Sequence, residues 1–353
     1  MTNGAVPRQD CGSRPASDTA NEPSTASVGP AGAIEVHAPS RLHFGLFSFG
    51  SPAQRCYGGI GAMISQPGLR VRVSRASCFE VTGPLAARAR RVADDLARLG
   101  RLPVELPCRI EIPEAPPEHH GLGTGTQLTL AVATALLRWF DRPHVDPSTL
   151  AVELGRARRS AIGTHGFAHG GLLLDGGLPS ARIEQREIAP LIARVALPNN
   201  WRFVLFAPRD ETGLSGTDER AAFERLPPVP REVTAELCRE ALLGLVPAAV
   251  DADYETFSEC LYRFGRLAGS CYTAVQGGPY GSARLERLVE QARELGAPGV
   301  AQSSWGPTLF ALLPDQTTAE RFAQRLAALP SGSTLTTTVA AAGNAGAQLV
   351  ELP

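Results

Sequence analysis

The 353-residue chain contains no lysine, so its 34 basic side chains are all arginine. A GC-rich coding bias accounts for that absence, yet it has chemical consequences. Schiff-base catalysis and a Walker-type phosphate-binding lysine are excluded. Any phosphate must be held by arginines, backbone amides or a metal. An excess of charge is missing too: the formal net charge is −1, which gives no reason to expect nucleic acid or an anionic membrane as partner. The seven cysteines are odd in number and never spaced as CxxC, the pattern of reduced thiols in a cytoplasmic protein rather than of a disulfide frame or zinc site. Apolar runs such as LTLAVATALL fall far short of the roughly 20 residues of a membrane span. Residues 1–33 lack the apolar stretch of a secretory signal and are rich in Pro, Ser, Ala, Gly and Thr, so they read as a disordered tail.

From there on the pattern is mixed. AIEVHAPSRLHFGLFSFG is an alternating strand that enters a loop at Pro39, and LRVRVSRASCFEVTG alternates as a half-buried strand does. LAARARRVADDLARLG has helical spacing and stops at Gly100, and a second helix starts near Asp146 and Pro147. GTHGFAHGGLLLDGG reads as a loop ending in a short apolar strand. A second half opens with the strand WRFVLFAP and continues through several amphipathic helices to closing strands. No internal repeat is present. Strands and helices mixed without strict βαβ alternation favour an α+β architecture, with a first domain over 34–195 and a second over 196–353.

The most informative stretch is PPEHHGLGTGTQLTLAVA, a glycine-rich turn directly ahead of a long apolar helix. The first N–H groups of a helix have no intrahelical partner, and the macrodipole adds about half a positive charge there. Gly121, Gly123 and Gly125 would let the backbone curl so that those groups face one anion. Thr124 and Thr126 would cap the helix or offer hydroxyls to a phosphate or its metal. The alternative is a plain strand-to-helix turn with threonine caps.

These residues resemble the phosphate loop of the GHMP kinase superfamily, usually Pro-x-x-x-Gly-Leu-Gly-Ser-Ser-Ala. APSRLHFGL stands where that superfamily has its first motif, and SSWGPTLFAL where it has its third. The resemblance implies a two-domain GHMP kinase-like α+β fold whose first domain resembles domain 2 of ribosomal protein S5. The kinase features are altered, however. SRLHFGLFSFG carries no acidic residue after the arginine. AIGTHGFAHGG has Thr164 and His165 near the position of the expected aspartate base, and Gly125 replaces the loop's second serine. A kinase needs its base and metal placed on a γ-phosphate; this chain keeps the cradle and loses the base.

One branch of the superfamily shares these changes, the β-ribofuranosylaminobenzene 5′-phosphate synthases. The chain is similar to that branch at SRLHFGLF, RCYGGIGAMI, HHGLGTGTQLTLAVA, GTHGFAHGGLLLDGG, ETGLSGTDERAAFERL, AVQGGPYGS and QSSWGPTLFAL. The resemblance implies a decarboxylating transfer from phosphoribosyl pyrophosphate to 4-aminobenzoate or 4-hydroxybenzoate in tetrahydromethanopterin biosynthesis, with Mg²⁺, without ATP, and in a homodimer. On that basis Arg41 and the turn Gly121, Gly123, Thr124, Gly125 and Thr126 are expected to hold the pyrophosphate. His43 and His165 are candidates for acid/base or ring-contacting work, with hydrogen-bonded loop histidines as the alternative. Arg55 is a candidate for the benzoate carboxylate or ribose phosphate, and His120, with His119, for phosphate contact.

Other patterns have plainer readings. Asp94 and Asp95 lie on an arginine-rich helix and read as a solvated face. His165 and His169 have metal-ligand spacing, but the glycines around them argue against a helix and against zinc. Trp305 reads as core packing, with an aromatic substrate as the alternative. An ATP-dependent kinase of the same superfamily is the runner-up activity, and a ligand-binding protein without catalysis the third reading.

Overall fold

The computed structural model describes residues 32–50, 55–183, 185, 187–213 and 216–353, with backbone alone for residues 216, 217, 219 and 220. All but the last two residues of the expected disordered tail lie outside them. The first sheet contains β1 (Ala33–Ser48), β2 (Arg55–Arg75), β3 (Glu80–Thr82), β4 (Cys108–Glu114), β5 (Leu172–Asp175), β6 (Leu178–Pro179) and β7 (Leu191–Val195). The second contains β8 (Arg202–Pro208), β9 (Val300–Gln302), β10 (Leu309–Leu313) and β11 (Leu335–Ala341), in the order β11-β8-β10-β9 and antiparallel throughout. A last strand, β12 (Gln348–Leu352), returns to pair with β1, so the chain ends in the sheet where it began.

The long β2 organises the first sheet. Its C-terminal part pairs with β4 and its N-terminal part with β5 and β6, while β1 runs antiparallel along its other side. Pro39 does not end β1, as its sequence implies. The strand passes through it, with a break in register between Ala38 and Ser40 that absorbs the missing N–H.

Helices follow the apolar spacing. In α1 (Ala86–Arg98), Ala89, Val92, Ala93 and Leu96 are buried at helical intervals and the arginines face outward or sideways. In α2 (Thr124–Trp139) the apolar residues surround the axis and nearly the whole helix is buried. A short α3 (Pro147–Glu153) is capped by the Asp146 side chain. Next comes α4 (Ile162–His169), a correction to the expected loop. Glycine disfavours a helix by about 1 kcal/mol, but here glycine permits the packing. Gly163 lies over Thr126 and Gln127 of α2, and a methyl at Gly166 would stand 2.2 Å from the buried Met63 sulfur.

The second half supplies α5 (Gly216–Arg225), α6 (Arg231–Arg239), α7 (Val246–Asp251), α8 (Tyr254–Ser270), α9 (Thr273–Gln276), α10 (Ala283–Glu294) and α11 (Gln316–Ala327). Three large cores result. One joins α1 and α2 to the first sheet, and a third packs α10 and α11 on the second sheet. Between them, Leu42, Phe44 and Ile60 of the first sheet meet Phe203 and Phe310 of the second and Phe264 of α8.

Cys56, Cys108, Cys238, Cys260 and Cys271 are reduced. Cys78, half-buried in the turn after β2, is disulfide-bonded, which corrects the expectation of reduced thiols throughout. No helix among the described residues is long and apolar enough to cross a membrane.

The contact between α4 and β2 is tight at Gly61, where an added methyl would lie 2.4 Å from the Leu42 carbonyl oxygen and 3.0 Å from Ile162 Cγ2. Backbone cannot yield as a side-chain tip does. Gly61→Ala is expected to lower stability by about 1–3 kcal/mol, read from urea unfolding; an unchanged midpoint would mean the strand and helix are not so closely apposed.

Candidate active site

The glycine turn forms one wall of a cavity of about 590 Å³ at the junction of the two halves. Gly121 and Gly123 have φ of +80° and +73°, a backbone region that suits glycine. Gly121 is also required by space, since a methyl there would stand 2.1 Å from the Ser303 carbonyl oxygen. Gly123 is the N-cap of α2 and no side chain caps the helix. The threonine hydroxyls are used otherwise: Thr124 donates to the Pro117 carbonyl and Thr126 accepts from Arg156. The positive end of a buried helix is thus turned toward the cavity without a side-chain cap.

Arginines surround this end. Arg41 and His43 both project from β1. The Arg41 N–H bonds the Leu122 carbonyl at 3.0 Å, and its guanidinium reaches the Gly121 carbonyl at 3.3 Å. Arg88 arrives from α1, and Arg156, Arg158 and Arg159 from the segment after α3. Gly125 explains their reach: a methyl there would be 3.0 Å from an Arg88 terminal nitrogen and 3.2 Å from one of Arg156. Five arginines and one carboxylate, Glu118 paired with Arg88, line the cavity of a protein of net charge −1. Such clustering focuses a positive field on whatever enters.

Behind Arg41 lies a buried polar chain. His43 Nε2 is 3.0 Å from Ser160 Oγ, which is 3.2 Å from an oxygen of Asp175. Asp175 has no exposed surface, and its carboxylate also accepts from the N–H groups of Ala161 at 2.9 Å and Gly177 at 3.1 Å. With the Ser160 hydroxyl donating to Asp175, His43 can meet Ser160 only as an Nε2–H donor, which leaves Nδ1 as the base. Burial, and then the neighbouring Arg41 charge, holds the His43 pKa well below its usual range; burial pushes Asp175 up, against its hydrogen bonds. His43 is therefore a neutral imidazole at the cavity wall.

The remaining expected site residues lie elsewhere. His165 is absent from the cavity lining; it is buried in α4 with Nε2 bonded to the Ala189 carbonyl at 2.8 Å. The helix that overturns the loop expectation is what turns its ring inward. Arg55 lies outside the cavity too, donating to the carbonyls of Gly176 and Gly177 beside a smaller cavity of about 310 Å³. His120 turns back to the Glu118 carbonyl at 2.8 Å, whereas His119 lines the site. Asp94 and Asp95 are not in the lining, in keeping with a helix face. His165 and His169 do share a helix, yet among the described residues no three or more His, Cys, Asp or Glu side chains are grouped so as to hold a metal. Arg88, Arg156, Arg158, Arg159, Ser160 and Asp175 were not foreseen. The run GRARRS was the available signal for four of them, but a charge run ordinarily marks a solvated face.

Comparison with known proteins agrees with this geometry. Residues 87–171 match the family described as the GHMP kinases N terminal domain, and residues 245–331 that described as GHMP kinases C terminal. A β-ribofuranosylphenol 5′-phosphate synthase of Archaeoglobus fulgidus is 31% identical over 291 residues, spanning 79% of this chain and 87% of the relative. One of Methanothermobacter thermautotrophicus is 26% identical over 294 residues, 78% of this chain and 88% of the relative. Among solved structures, homoserine kinase from Cytophaga hutchinsonii aligns with a TM-score of 0.60 at 18% identity, covering 94% of this chain and all of that one; this shows the fold.

A histidine whose folded pKa is depressed favours folding above its unfolded value of 6.5, and that contribution is lost as pH falls toward the folded value. The stability difference between the wild type and His43→Gln should therefore shift against the wild type below about pH 6.5. Paired urea titrations across about pH 5.5–7.5, a window of about one unit either side, check this; a pH-independent difference would show His43 to titrate normally.

Proposed function

The chain belongs to the β-ribofuranosylphenol 5′-phosphate synthase family, and on that premise we propose that this enzyme transfers ribose 5-phosphate from phosphoribosyl pyrophosphate to a para-substituted benzoate with loss of carbon dioxide. The observation that carries the reading is one cavity lined by an arginine-ringed glycine turn, a neutral histidine and the rings of Phe223, Tyr272 and Trp305. A product named a ribofuranosylphenol follows from 4-hydroxybenzoate as acceptor, whereas 4-aminobenzoate would give the aminobenzene. We favour 4-hydroxybenzoate.

In this reaction the ring carbon bearing the carboxylate attacks C1 of the ribose and the C1–O bond to pyrophosphate breaks. The electrons of the carbon–carboxylate bond then return to the ring as carbon dioxide leaves. Negative charge grows on the departing pyrophosphate, where preorganised donors give the greatest benefit. The start of α2, Arg41, Arg88 and Arg156 are those donors. The para hydroxyl must push electrons into the ring, and neutral His43, its tautomer set through Ser160 and Asp175, would accept a hydrogen bond from that hydroxyl and strengthen its donation.

Magnesium would belong at the same end of the cavity, where Glu118 is the one carboxylate in the lining. This ion retains waters and takes few protein ligands beside substrate phosphate. Glu118, with the hydroxyls of Thr124 and Thr126, would hold it, and it would neutralise charge on the leaving group.

Release of labelled carbon dioxide from carboxyl-labelled 4-hydroxybenzoate and 4-aminobenzoate, with phosphoribosyl pyrophosphate and Mg²⁺ but no ATP, tests the reaction. Release that requires the ribose donor is expected, faster with the hydroxy acid. Failure with both acids, from folded protein, would overturn the reading and turn attention to ATP consumption by a kinase. Arg88→Gln and Arg156→Gln should each raise KM for the ribose donor by about 10- to 100-fold, the worth of one charged hydrogen bond. Equal losses in KM for the benzoate would place these arginines elsewhere in the mechanism.

A further inference from the structure

Another part of the cavity lining is aromatic. Phe223 of α5, Tyr272 after α8 and Trp305 from the β9–β10 loop come from three distant segments and all line the cavity. Their rings pack edge to face: Phe223 and Trp305 have centroids 5.4 Å apart, Tyr272 and Trp305 4.8 Å, Phe223 and Tyr272 5.9 Å. Phe49 closes the cluster from behind, touching Phe223 and Tyr272.

One cation belongs to this wall. The Arg159 guanidinium lies 4.2 Å from the Phe223 centroid, whereas Arg88 and Arg156 stand over Gly125 at the turn. The backbone divides them: Gly155 and Ala157 both have positive φ, at +68° and +58°, on either side of Arg156. Arg159 and Ser160 are consecutive, so the cation of the aromatic wall adjoins the His43–Ser160–Asp175 chain.

We infer that Phe223, Tyr272, Trp305 and Arg159 form the acceptor subsite, which takes a flat aromatic carboxylate with its ring on the three side chains and its charge on Arg159. The inference rests on the synthase reading but assigns residues that reading leaves open. It also replaces Arg55, which lies outside the cavity. Rings meeting at their edges offer a flat partner both faces and edges. A guanidinium already over an aromatic face recognises a carboxylate through two parallel N–H donors. Trp305 is held in place by the loop it sits on. The Ser304 N–H bonds the His43 carbonyl at 3.2 Å, and Gln302 donates to the Ser304 and Gly306 carbonyls.

Trp139 and Trp201 are fully buried, so Trp305 is the tryptophan that a ligand in the cavity would touch. Tryptophan fluorescence of the full chain is titrated with 4-hydroxybenzoate, 4-aminobenzoate and phenol, and Trp305→Phe identifies the signal. The benzoates should bind at least about 10-fold more tightly than phenol, the gain of one charge-assisted pair. Arg159→Met should abolish that preference, Arg159→Lys should restore part of it, and KM for the ribose donor should stay within about 2-fold. A preference that survives Arg159→Met, equal binding of phenol and benzoates by the wild type, or a rise in the donor KM would each overturn the subsite. Binding needs no turnover, so the two readings fail separately. Benzoate preference without carbon dioxide release would sink the synthase and leave the subsite. Release with an unaltered preference in Arg159→Met would do the reverse.

Discussion

The arrangement depends on one buried hydroxyl. Ser303, without exposed surface, donates through Oγ to the Gly121 carbonyl at 2.7 Å and accepts the His43 N–H at 3.0 Å. It ties the glycine turn, the strand that carries Arg41 and His43, and the loop that carries Trp305, segments separated by up to 260 residues. Gly121 and Gly306 are the companions of this contact. A methyl on either would strike backbone of the other's segment at little more than 2 Å. The site thus exists only when both halves have folded against each other, because each contributes backbone that the other must approach.

Around that contact the chemistry is divided by charge. The turn end gathers cations beside the start of a buried helix; another part of the lining is a set of packed rings with a single guanidinium. Between them His43 is kept neutral by burial and by Arg41, and Asp175 holds its carboxylate in the interior through three hydrogen bonds. A protein without lysine must do this with arginine, whose planar guanidinium suits both phosphate and aromatic faces. Breaking the Asp175 end would leave N–H groups unpaired in the core, which costs more than the hydrogen bonds themselves supply.

Much was legible in the linear pattern. Apolar spacing placed α1 and α2, Asp146 marked the start of α3, and the glycine turn with its following helix pointed to an anion. Local chemistry sufficed there, since a helix end and its glycines act over a few residues. The α4 segment was misread because helix propensity weighs a glycine by its own backbone, whereas Gly163 and Gly166 act through their neighbours. Arg156, Arg158 and Arg159 drew no site reading, because sequence carries no sign of what a charge faces. His165 and Arg55 stand in stretches that resemble the synthase branch, yet His165 points into packing and Arg55 braces a neighbouring loop.

By itself, then, the sequence determined the absence of lysine chemistry, the α+β class, the glycine turn ahead of its helix and the family. Those follow from residue type and short-range spacing. Which arginines face the turn, that Ser160 and Asp175 stand behind His43, and that Phe223, Tyr272 and Trp305 share one wall were decided by tertiary structure alone. The physical reason is distance along the chain: these groups interact over a few ångströms of space but across tens to hundreds of residues, and only the packing of the two sheets brings them together.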